Sequence, residues 1–221
     1  MSGLLRKLAG LGGRDRIATL LDEVDPSAAT RLRVTTSDAG RYLLGLAEWD
    51  DRLRDLLEHE AEVRAALERS GYWEEYDEWR IGTVSTNRIE RQESIYRVSS
   101  ECDGTYAATV GSLQVAIEAT QVLFGLSRDL FWEVGWASWE RPSAKHAVRK
   151  PYLARIAREA AKSARARPTR IDWQGGTGYE VVVERGCISM TCVSPTLERA
   201  TQFAGVFEAV SADLIRVLDW R

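Results

Sequence analysis

The sequence predicts an α+β protein built from two helix–antiparallel-strands–helix halves. Three observations carry the expectation. The last third reads as helix, three-strand meander and long closing helix. The middle repeats much of that order. A basic connector near residues 140–150 separates the two, giving halves at 1–140 and 141–221 that could still form one compact domain.

The C-terminal half is the clearest. Pro151 suits a first helical turn, where a missing N–H costs nothing. Leu153, Ile156, Ala157, Ala160 and Ala164 then recur at helical spacing, with Arg155, Arg158, Lys162 and Arg165 on another face. Pro168 ends the helix, because a residue before proline avoids helical angles. Thr169 to Trp173 alternates as a half-buried strand, Gly175 to Gly178 reads as a turn, and Tyr179–Glu184 and Ile188–Val193 read as strands broken at Gly186. Ser194-Pro195 is expected to cap and start the last helix, with Glu198 in its first turn. Phe203, Val206, Phe207, Val210, Leu214, Val217 and Leu218 form its apolar stripe.

In the first half, Leu4 to Leu11 and Ile17 to Val24 suggest two short amphipathic helices split at Gly12-Gly13. Arg31 to Thr36 is expected to be a strand. Ser37 or Asp38 caps a long helix ending near Gly71, with Leu46, Trp49, Leu53, Leu56, Val63 and Leu67 on one seam. Tyr72 to Trp79, aromatic and acidic together, reads as an amphipathic turn with buried rings. Strands are expected at Arg80–Thr86, Ser94–Ser99 and Tyr106–Val110, and a helix from Ser112 or Leu113 to about Ser127. Phe131, Trp132, Trp136 and Trp139 follow in a loop or short helix.

The halves share a faint echo. Thr109-Val-Gly-Ser112 precedes Ala119-Thr-Gln121, and Thr191-Cys-Val-Ser194 precedes Ala200-Thr-Gln202, as a pseudo-twofold tandem repeat would produce. The αβββα order resembles the architecture of peptide-binding chaperones for secreted proteins. That likeness of order, without matching motifs, implies a chaperone-like accessory role.

Composition narrows the function classes. A chain of 221 residues with 44% apolar and 29% charged residues is ordinary for a globular protein. Met1 to Leu8 lacks the unbroken apolar core of a signal peptide, so a soluble cytoplasmic protein without a membrane partner is expected. Cys102, Cys187 and Cys192 make no disulfide framework, and with His59 and His146 they make no recognisable metal spacing. Neither a Gly-x-Ser-x-Gly elbow nor a phosphate loop occurs. Carboxylates among the rings of Tyr72–Trp79 could serve sugar chemistry, and Cys187 could be a nucleophile, but each rests on residue type alone. No catalytic residue and no cofactor is therefore assigned.

Charge is strongly segregated. Residues 141–170 hold ten Lys or Arg against Glu159 alone, net +9, whereas residues 48–78 hold twelve Asp or Glu against four Arg, net −8. Solvated or mutually paired faces would explain both. The functional expectation is a non-enzymatic protein-binding module whose basic helix meets an acidic protein surface or a second copy in a homodimer. The alternative is nucleic-acid binding through the same helix at 151–167. Arg155, Arg158, Lys162 and Arg165, with Trp132, Trp136 and Trp139, are the candidate partner-binding residues.

Overall fold

In the computed structural model, residues 25–47, 72–76, 86–102, 104–134 and 150–220 are described. An antiparallel sheet of seven strands spans them in the order β1-β2-β3-β4-β7-β6-β5. The strands are β1 Tyr72–Tyr76, β2 Thr86–Gln92, β3 Ile95–Glu101, β4 Thr105–Val110, β5 Thr169–Trp173, β6 Gly176–Arg185 and β7 Ile188–Ser194. The helices are α1 Pro26–Thr36, α2 Asp38–Leu46, α3 Leu113–Asp129, α4 Pro151–Ser163 and α5 Leu197–Leu218, with a π-helical turn at Leu130–Val134. The fold is therefore α+β.

Strands from both sides of the basic connector meet at one seam. There Thr105 to Ala108 of β4 pairs with Thr191 to Ile188 of β7, and the Thr109 amide extends the contact to the Cys187 carbonyl at 2.9 Å. Each meander thus ends at the centre of the sheet and leads into a helix. Strict alternation divides β7, where Ile188, Met190, Cys192 and Ser194 are buried and the residues between are half-buried. Val98, Tyr106, Ala108, Val181 and Val183 share that buried face. Helix α3 packs on β2, β3 and β4, and α5 packs on β6 and β7. Helices α2 and α4 lie against α5 as a further layer.

Several expectations are corrected. Residues 31–36 are helical, because Asp25 accepts the Ala28 amide at 3.0 Å and Pro26 starts a helix that runs through them. Tyr72 to Tyr76 is an edge strand paired with β2, in place of an amphipathic turn. The hairpin turn between β5 and β6 is Gln174-Gly175, both at positive φ, so Gly176 and Gly178 already belong to β6. The last helix is capped by Thr196, whose hydroxyl accepts the Arg199 amide, while Ser194 is still in β7. Ser37 caps α2 and Ser112 caps α3 as expected. Helix α2 ends at Leu46 with Ala47 as its C-cap, so it does not run unbroken toward Gly71 as expected. The expected helices up to Val24, the stretch from 48 to 71, and the expected strand Arg80–Thr86 short of Thr86, where β2 begins, lie outside the described residues.

Candidate interaction surface

Helix α4 presents two unlike faces. Tyr152, Leu153, Ile156 and Ala160 are buried, and the helix lies on α5. The approach is close because Gly205 of α5 has no side chain where the Ala160 carbonyl passes; a methyl there would sit 2.1 Å from that oxygen. The other face carries the predicted cations. Arg158 and Lys162 are exposed, and the Arg158 Nε donates to the Ala154 carbonyl at 3.2 Å. Arg155 stands 3.5 Å from Glu159 and lies over the Tyr152 ring, so part of its side chain is committed to the fold. Arg165 follows the helix and is exposed. Four of the predicted residues thus fall on α4 and its exit. Trp132 lies in the π-helical turn, with its side chain outside the described set, as are Trp136 and Trp139 altogether.

Between α4 and β5 the chain stays off the sheet. The β5–β6 ladder stops at Thr169↔Glu180, and continuing its register would bring Pro168 opposite Val181. Proline has no N–H to donate there. The amides of Arg165 and Ala166 turn instead to α5, where the Glu208 carboxylate accepts them at 2.5–3.1 Å. Among the described residues, Val181 to Arg185 of β6 therefore pair with β7 alone. A groove of about 740 Å³ opens beside them, walled by Ser163, Arg165 and Ala166, and by Gly205, Glu208, Ala209 and Ala212 of α5.

A second constellation joins α2, α3, α4 and α5. Buried Asp129 accepts the Tyr42 hydroxyl at 2.9 Å, is bonded by the Lys150 ammonium, and lies 3.4 Å from Arg128. The rings of Tyr42 and Tyr152 stack at 5.0 Å, and the Tyr152 hydroxyl donates to Asp213 at 2.9 Å, which Arg216 also pairs at 2.6 Å. Burial first, and then Asp129, pushes the Tyr42 phenol well above its ordinary range; burial and Asp213 do the same for Tyr152. Both phenols therefore stay protonated and act as donors. Each charge in this cluster answers another, so the arrangement works as a four-helix clamp.

Cys187 lacks the setting of an activated nucleophile. Burial raises its thiol, which donates to the Trp220 carbonyl at 3.1 Å. Among the described residues, no group of three His, Cys, Asp or Glu is placed to hold a metal, and no helix is long and apolar enough to cross a membrane.

No protein-family profile, curated protein or solved structure matches the chain. The sequence reading missed the clamp because its hydrogen-bonded partners lie 61 and 87 residues apart. The groove was hidden for a similar reason, although Pro168 was a usable sign that the β5 ladder would end early.

Proposed function

We infer that this chain is a non-enzymatic protein-binding accessory module whose partner presents an acidic surface. The observation that carries the reading is the outward basic face of α4, with Arg158 and Lys162 exposed on a helix whose other side is anchored to α5, and Arg165 exposed just past its end. Cations so placed raise the association rate with an acidic partner and select against basic ones. The clamp supports the reading too, because its tyrosines and carboxylates are spent on one another. In the test, Arg158→Glu with Lys162→Glu should abolish capture of the partner while thermal unfolding is unchanged. Capture undiminished by the double variant would refute the assignment. Arg155 is left intact in that test because it packs on Tyr152.

The two meanders are also proposed to be related by a local twofold. Shifting Thr109 onto Thr191 is an offset of 82 residues, and the same offset takes Ala107 onto Ser189. Those two residues face each other across the β4–β7 seam, so an axis relating the meanders would pass through that ladder. The Ala-Thr-Gln segments follow at an offset of 81. A duplicated unit of this kind would pair with itself through β7 when β4 is removed.

A further inference from the structure

We propose that the groove beside β6 takes an extended acidic segment of a protein partner, added as a strand to the edge at Val181–Arg185 that no described residue pairs; this rests on the acidic-partner reading above. Three observations point to it. First, Val182, Val183, Glu184 and Arg185 all line the groove. Successive side chains of a strand point to opposite faces, so four consecutive lining residues mean that the groove runs along the backbone edge of β6, not over one face. The two-residue turns at Gln174-Gly175 and Gly186-Cys187 fix which groups face it. Hydrogen-bonded pairs alternate in an antiparallel ladder, so the pairs closing these turns assign odd positions of β6 to β7 and even positions to β5. Beyond Glu180 the even positions, Val182 and Glu184, direct N–H and C=O into the groove.

Second, the strand that would ordinarily fill this place has been drawn away. Arg165 and Ala166 would lie opposite Glu184 and Val183 if the ladder continued, yet their amides are held by Glu208. The opposite wall is kept low by Ala209 and Ala212, three apart on one face of α5, which leaves room for a backbone beside them. An edge of four residues spans roughly 13 Å, enough for a short added strand.

Third, the charge favours an acidic occupant. Arg165 and Arg185 line the groove, with exposed Lys162 and Arg167 beside the lining residues in sequence. Glu184 and Glu208 balance the two lining arginines, because the amides bonded to Glu208 are neutral, so the excess positive charge is that of exposed Lys162 and Arg167. Main-chain bonds would supply affinity and the cations would select the sequence, as in strand addition generally.

The test uses the full chain and a fluorescein-labelled octapeptide alternating Thr or Val with Glu. Three peptides accompany it: the same sequence N-methylated at alternate amides in one phase, the same in the other phase, and one with Lys for Glu. The acidic peptide should bind, with affinity about ten-fold lower or worse when the groove-facing amides are methylated, when Glu is replaced by Lys, or in Val182→Pro and Glu184→Pro. Glu184→Ala, which keeps the amide, should bind at least as well as the parent. Equal binding of methylated and unmethylated peptides would overturn strand addition. If Arg158→Glu with Lys162→Glu still removed that binding, the acidic-partner reading would stand without it. Binding unaffected by any variant, or none to any peptide, would overturn the proposal. So would a dimer abolished by Val182→Pro, since the occupant would then be a second copy.

Discussion

Replacing Gly205 by alanine sets two effects of opposite sign against each other. Alanine is the better helix former by about 1 kcal/mol, so propensity alone predicts a more stable protein. The packing predicts the reverse. The added methyl would lie 2.1 Å from the Ala160 carbonyl oxygen, 2.5 Å from its carbon and 2.9 Å from its Cα. These are backbone atoms of α4, which no side-chain rotation can clear. The helices must therefore part locally, and Tyr152, Leu153 and Ile156 must shift in the core. Overpacking of this kind costs about 3 kcal/mol at the upper end of its usual range, leaving a net loss of about 2 kcal/mol. For a chain of this size that lowers Tm by roughly 4–8 °C. Denaturant unfolding followed by circular dichroism measures it. Gly45→Ala is the companion, because no described atom lies within 4 Å of a methyl there, and it should stabilise by up to about 1 kcal/mol. An equal or higher stability for Gly205→Ala would refute the close crossing.

Other outcomes follow from the clamp and the seam. Asp129→Ala leaves Lys150 and Tyr42 facing an empty carboxylate position and should cost about 3 kcal/mol in denaturant unfolding. Tyr152→Phe, which strips one donor from Asp213 while Arg216 remains, should cost about 1 kcal/mol by the same assay. Both tyrosines have folded-state values above the ordinary 10.0, so the unfolded chain loses its phenolic protons first. Their contribution to stability is complete below pH 10.0 and falls as pH rises beyond it; unfolding curves across that range should weaken steadily, and less so in the Tyr42→Phe, Tyr152→Phe variant. A fragment of residues 150–220 should form a dimer through β7 in sedimentation equilibrium, whereas a folded monomer would speak against the proposed twofold.

What the sequence made legible was local. Pro151, the apolar stripe from Phe203 to Leu218, and the β-branched runs of β6 and β7 needed no tertiary help, and those elements stand nearly where expected. The errors have physical causes. Leu32 and Val34 mimic strand alternation, but the hydroxyls of Thr30, Thr35 and Thr36 bond back to carbonyls four residues earlier, a bond that helical threonine can make. Strand β2 escaped notice at Thr86–Gln92 because Ile89 is its one apolar residue. The basic face was legible because helical spacing alone determines it. The groove was not: it depends on a ladder ending at Pro168, on Glu208 forty-two residues from Ala166, and on the close α4–α5 crossing.

The central claim is that the basic face of α4 serves an acidic protein. Its most direct test is capture by the tagged full chain from its native cells, with nuclease-treated and untreated extracts compared by mass spectrometry. A stoichiometric protein partner that survives nuclease and is lost from Arg158→Glu with Lys162→Glu is expected. Co-purifying nucleic acid, or partners that disappear on nuclease treatment, would contradict it and assign the same helix to a phosphate backbone.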